Sequence, residues 1–154
     1  MERTLVLLKP DAVQRGLIGS ILTRFEAKGL KPVGLKLRQF DRATLERHYS
    51  DHKDKPFFGN LVDFMGSGPV VALCLEGKNA ITVTRTLMGK TNAAEAAPGT
   101  IRGDFGMSFS NNLVHGSDSP ESAEKELGIF FPDASEICEW TPVGETWVYS
   151  VEER

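Results

Sequence analysis

The chain has 154 residues, 40% of them hydrophobic and 25% charged, which is long enough to bury a core of its own and too apolar, with too little Gly and Pro, for disorder. Eighteen Lys and Arg against 21 Asp and Glu leave a net charge of −3, so no overall basic field exists for nucleic acid or an anionic membrane, and any anion must be bound locally. Two cysteines, Cys74 and Cys138, and an opening apolar run too short for a signal peptide or a membrane span set the expectation of a single domain, residues 1–154, in the cytoplasm.

Thr4–Leu8 is a continuous apolar run closed by Lys9-Pro10-Asp11, which reads as a strand buried on both faces and ended by a turn. Ile18, Ile21, Leu22 and Phe25 then repeat at helical spacing before Gly29, predicting a helix over 19–28. Val33, Leu35 and Leu37 alternate with Gly34, Lys36 and Arg38 as a strand with one apolar face. Asp41 caps a helix running to Tyr49, and Pro56 opens a short one carrying Phe57, Phe58, Leu61, Val62 and Met65 up to Gly66. Val70–Leu75 is a second buried strand, and a helix from Asn79 sets Ala80, Val83 and Leu87 on one face. Residues 89–113 show neither period. So long a stretch without structure is uncommon in a compact domain and marks the expected working loop. Ser119-Pro120-Glu121 starts the last helix, with Ala123, Leu127, Phe130 and Phe131 inward and a Glu121/Lys125 pair outside.

Most of the motif-like features fail on inspection. Gly89-Lys90-Thr91 lacks the earlier glycine and the preceding strand of a P-loop, and Gly66-Ser67-Gly68 lacks the third glycine of a dinucleotide fingerprint. His48 and His52 lie four apart on one helix, yet no third ligand is spaced to complete a metal site, so both read as solvated side chains. Cys74 reads as a small core residue. Lys9, Arg85 and Arg102 are lone cations that read as surface charges, and Phe57-Phe58 as a core pair.

His115 differs, because small and polar residues crowd it in Asn112-Leu113-Val114-His115-Gly116-Ser117-Asp118-Ser119, just before a helix start. Such a histidine is either a solvated turn residue or a nucleophile toward phosphorus, with helical N–H groups and nearby cations holding the phosphate oxygens. The residues alone leave both open.

That segment, together with Thr4-Leu5-Val6-Leu7-Leu8-Lys9-Pro10-Asp11, Pro56-Phe57-Phe58, Ser67-Gly68-Pro69-Val70-Val71 and Pro98-Gly99-Thr100-Ile101-Arg102-Gly103-Asp104-Phe105, resembles nucleoside diphosphate kinase over nearly the whole chain. The resemblance implies an α+β, ferredoxin-like fold, a four-stranded antiparallel sheet with helices packed on it. It implies ping-pong transfer of the terminal phosphoryl of ATP or another nucleoside triphosphate to a nucleoside diphosphate through a phosphohistidine, with Mg²⁺ carried by the nucleotide. Matched residue by residue, His115 is the nucleophile, Glu126 orients its ring, and Lys9, Tyr49 and Ser117 surround the transferred group and the sugar 3′-hydroxyl. Arg85, Thr91 and Arg102 match the phosphate clamp, Asn112 the sugar contact, Phe57 the base platform and Asp118 a water-mediated magnesium contact. Lys90 and Ala93 depart from the common pattern, which has an acidic or small residue and a proline there. The tail 139–154 resembles that of hexameric members, so a homohexamer is the expected assembly. A scaffold that only binds is the rival reading, and the intact His115, Lys9, Arg102 and Asn112 oppose it; a phosphatase would instead release phosphate without an acceptor.

Overall fold

The computed structural model describes residues 1–154. Strands β1 (Glu2–Leu8), β2 (Lys31–Arg38), β3 (Val70–Gly77) and β4 (Val114–Gly116) form one sheet in the order β2-β3-β1-β4, every pair antiparallel. The two continuous apolar runs are its inner strands, buried on both faces as their composition requires.

Alternation along these strands builds two cores. Val6, Leu8, Val71, Leu73, Leu75 and Val114 point to one side, against helices α1 (Pro10–Gln14), α2 (Ile18–Lys28), α5 (Ala80–Met88) and α6 (Ile101–Phe105). Leu5, Leu7, Val70, Ala72 and Cys74 point to the other, against α3 (Arg42–His48), α4 (Phe58–Met65) and α7 (Pro120–Phe130). A short α8 (Glu145–Val148) lies in the C-terminal tail, and no helix is long and apolar enough to cross a membrane.

The caps follow the sequence: Asp41 accepts from the Thr44 amide, Ser119 from the Ser122 amide with Pro120 at the first turn, and Gly29 ends α2 at φ +103°. Other expectations change. Lys9-Pro10-Asp11 does not merely turn: Pro10, with its φ fixed for a helix, begins α1. Pro56 lies outside α4, which starts at Phe58. A bulge between Pro32 and Gly34 shifts the alternation of β2, so Val33 is buried while Leu35 and Leu37 are more than half exposed on the edge strand. Lys125 bonds Asp51 and Ser50 instead of Glu121.

The stretch 89–113 is built, not loose. It holds a 3₁₀ turn at Ala93–Glu95 and then α6, and Ala93, Ile101, Arg102, Asn112 and Leu113 are buried. Close backbone approach sets its course: a Cβ on Gly103 would collide with the Ala97 carbonyl, and Gly89 turns at φ +85° against Thr100. The segment ends in β4, which brings His115 to the sheet.

Candidate active site

His115 stands at the middle of β4, opposite Leu7 of β1. Val114 faces the α2/α5 core, so the pleat turns His115 to the other side, beneath α3 and α7. Glu126, on the second turn of α7, meets it there: its Oε2 lies 2.7 Å from His115 Nε2, and its Oε1 accepts the Ser117 hydroxyl at 2.6 Å. Burial works to raise the Glu126 pKa, but the bonds from His115 and Ser117, with the charge of His115, hold it below the usual carboxylate range. An ionised carboxylate only accepts, so Nε2 carries the ring proton and the lone pair resides on Nδ1.

His48 is the residue that the sequence reading misplaced. It is 8% exposed, its ring 4.8 Å from that of His115 and edge-on to Tyr49 and Phe130. Burial, reinforced by the neighbouring His115, lowers its pKa to about 3, so it is neutral at pH 7. Its Nδ1 lies 3.5 Å from Glu126 Oε2, and His48, His115 and Glu126 offer ligand atoms within 4.8 Å of one another. The third member of a possible cluster thus comes from far along the chain, where local spacing could not reveal it. One signal was available: His48 falls three residues after Leu45, on the inward face of α3.

Two adjoining clefts share Tyr49. One, about 290 Å³, is lined by His48, His115, Glu126, Arg85, Asp118 and Gly116 among others. The second, about 450 Å³, holds Lys9, Phe57, Thr91 and Asn112 with Asn60, Leu61, Phe64 and Phe109. Burial pushes the Tyr49 phenol above its ordinary range, with Glu126 adding to it. Phe57 is 45% exposed, an aromatic face open to the cleft instead of half of a core pair. Lys9 Nζ donates to Asn112 Oδ1 at 2.8 Å, and Asn112 Nδ2 to the Thr91 carbonyl at 3.0 Å. Burial, with Arg102 adding to it, lowers the Lys9 pKa to about 8.

Arg85 is exposed and donates to the Gly116 carbonyl. Arg102 is 5% exposed and lines neither cleft; Nε, Nη1 and Nη2 donate to the carbonyls of Asn112, Gly89 and Val114 at 3.1, 3.0 and 2.7 Å. It is therefore a brace for the loop, with two of the five guanidinium N–H groups left over. Ser117 is also buried, behind Glu126. Asp118 is exposed on the rim of the smaller cleft.

A family profile described as nucleoside diphosphate kinase matches residues 2–136. The chain belongs to the nucleoside diphosphate kinase family. A relative named nucleoside diphosphate kinase from Archaeoglobus fulgidus is 58% identical over 154 residues, all of both chains, and one from Desulforamulus reducens is 54% identical over 149 residues, 97% of this chain and 99% of the relative. Among solved structures, the halophilic enzyme of Halobacterium salinarum in complex with CDP superposes with a TM-score of 0.93 at 51% identity, covering 97% of this chain and 99% of that one. A family member from Babesia bovis gives 0.94 at 46%, covering 97% and 100%. The ferredoxin-like fold and the phosphotransferase class of a nucleoside diphosphate kinase, with the family's ping-pong phosphohistidine mechanism, hold for this chain.

Proposed function

We propose that the phosphoryl acceptor is Nδ1 of His115, in an exchange between nucleoside triphosphates and diphosphates. The observation that carries this is the 2.7 Å bond from His115 Nε2 to the ionised Glu126 carboxylate, which leaves Nδ1 with its lone pair beside an open cleft. In the forward half-reaction Nδ1 forms the N–P bond to the γ-phosphorus, the P–O bond to the β-phosphate breaks, and the diphosphate leaves. Nε2 keeps its proton, and the imidazole ring gains positive charge that Glu126 balances. The second diphosphate reverses these steps, so no other base is needed.

The remaining residues divide by what the two clefts offer. Lys9 and Arg85 supply positive charge for phosphate oxygens from the cleft walls, joined by Thr91, and Arg102 adds its charge from behind the wall; Tyr49 borders the transferred group and the sugar hydroxyl, with Ser117 supporting it through Glu126, and Asn112 faces the sugar. The open face of Phe57 stacks on the base, and because every base has a π-face, purines and pyrimidines both react. A hard cation such as Mg²⁺ fits this donor set, held by the nucleotide's phosphates with the exposed Asp118 carboxylate reaching it through water. When bound it neutralises phosphate charge. The same reading includes one domain over residues 1–154, a cytoplasmic location, a homohexamer, and no role for nucleic acid or membrane; light scattering that gives a dimer or tetramer mass overturns the hexamer.

The test is labelling. Protein mixed with γ-labelled ATP and Mg²⁺ retains an acid-labile, alkali-stable phosphoramidate, and His115→Ala abolishes both label and turnover. Acid-stable label, or full turnover in His115→Ala, overturns the assignment. No label in the wild type favours a binding scaffold, and phosphate released without an acceptor favours a phosphatase.

A further inference from the structure

The backbone leading into β4 makes an abrupt reversal. Leu113 has φ +75°, and the Val114 amide donates to the Asn112 carbonyl at 2.9 Å, which closes a three-residue turn of the strained hand. Leu113 is a bulky, fully buried residue, the kind least suited to a positive φ. Such a conformation persists only where its surroundings over-determine it, and here it lies between two site residues, Asn112 and His115.

The restraint comes from the start of α1. The Leu113 amide donates to Asp11 Oδ2 at 3.1 Å, the Lys9 amide donates to the Leu113 carbonyl at 2.8 Å, and Lys9 Nζ reaches Asn112 Oδ1. The Lys9–Asp11 and Asn112–Val114 segments are thus laced together by three bonds. Arg102 grips the flanking carbonyls of Asn112 and Val114, but among side chains only Asp11 bonds the backbone of the strained residue itself. The second oxygen of Asp11 is buried and has no partner. A carboxylate serving only to complement the positive end of α1 would face solvent.

We infer that Asp11 is a positioning residue for phosphoryl transfer: its carboxylate locks the Asn112–Val114 turn and thereby sets the aim of Lys9, Asn112 and His115. The inference rests on the proposed roles of those three residues. A displacement of about 1 Å at such a site costs on the order of a hundredfold in rate.

The experiment compares Asp11→Ala with Asp11→Asn, since Asn keeps an acceptor for the Leu113 amide and removes the charge. Single-turnover labelling of His115 is measured beside amide hydrogen exchange at Leu113, with β1 and β3 amides as the control for global stability. Asp11→Ala is expected to label about ten to a hundredfold more slowly and to exchange Leu113 at least about tenfold faster, with the strand amides unchanged. Asp11→Asn is expected to stay within about threefold of wild type in both. If Asp11→Ala does not fold, Asp11→Ser takes its place, keeping a hydroxyl in the first turn of α1 without the reach to Leu113. The inference fails if the shortened variant labels within twofold of wild type, if Asp11→Asn is as slow as that variant, or if labelling slows while Leu113 stays protected. The exchange arm needs no activity, so a wild type that takes no label overturns the proposed function while the lock on the turn is still decided.

Discussion

Replacing Glu126 by Gln isolates the charge behind His115 from the hydrogen bonds around it. Gln presents one oxygen to the His115 Nε2 proton, and its amide group faces a Ser117 hydroxyl that rotates to accept, so both contacts at 2.7 and 2.6 Å have a neutral substitute. What disappears is a carboxylate facing an imidazole that becomes cationic as the N–P bond forms. Two full charges about 4 Å apart interact by about 4 kcal/mol at an effective dielectric of about 20. With roughly half of the ring charge developed at the transition state, the loss is about 2 kcal/mol, or about thirtyfold in the labelling rate. Glu126→Ala also removes the acceptor that fixes the tautomer and aim of the His115 ring, a misplacement that costs up to about a further hundredfold and brings the loss to on the order of a thousandfold. Rapid-quench measurement of His115 labelling by saturating ATP reads both. A Gln variant at wild-type speed would show that the charge is idle, and Gln and Ala variants equally slow would show that the reasoning about separate contributions is wrong.

Three further outcomes follow from the same site. The free-enzyme profile of kcat/KM turns down near pH 8, because Lys9, its pKa lowered to about 8 by burial, loses the proton that phosphate needs; Lys9→Arg moves this limb to higher pH, and an unmoved limb refutes the assignment. His48 stays neutral in the folded protein down to about pH 3 while its unfolded form protonates near 6.5, so the unfolded state binds more protons within that window and stability falls as pH drops through it. The contribution is at most about 1.4 kcal/mol per pH unit, and denaturant titrations at pH 7 and 4.5 should show a smaller difference for His48→Phe; an identical difference sinks the argument. Arg102→Lys strands carbonyls that a single ammonium cannot reach together, costing about 3–5 kcal/mol and lowering the melting temperature by roughly 10 °C, and a shift under about 2 °C contradicts the bracing role.

The sequence made the inner strands legible because a strand covered on both sides must be apolar throughout, as Thr4–Leu8 and Val70–Leu75 are. Asp41 and Ser119 were legible as caps because their chemistry is local. Elements of less than two turns, too short to repeat a pattern, were not: α1 and α6 have five residues each, and the turn at 93–95 has three. The bulge that turns Leu35 and Leu37 outward depends on pairing with β3. His48 and Arg102 were misjudged because their surroundings are assembled from Glu126, His115 and loop carbonyls distant along the chain. His115, Glu126, Lys9 and Asn112 came from a family pattern, and the fold shows why no spacing rule could have joined Lys9 to Asn112: sheet order alone makes them neighbours.

The pairing of His115 with Leu7 makes tolerance to insertion uneven along the chain. One residue added between Leu113 and Val114, with the rest of the pairing kept, would exchange the faces of β4, carrying the imidazole into the α2/α5 core and bringing Val114 to the cleft. Such a protein could keep its sheet and still lack a nucleophile. The exposed tail around Val143 and Gly144 shares no register with β4, so tags, reporter loops or circular-permutation junctions belong there.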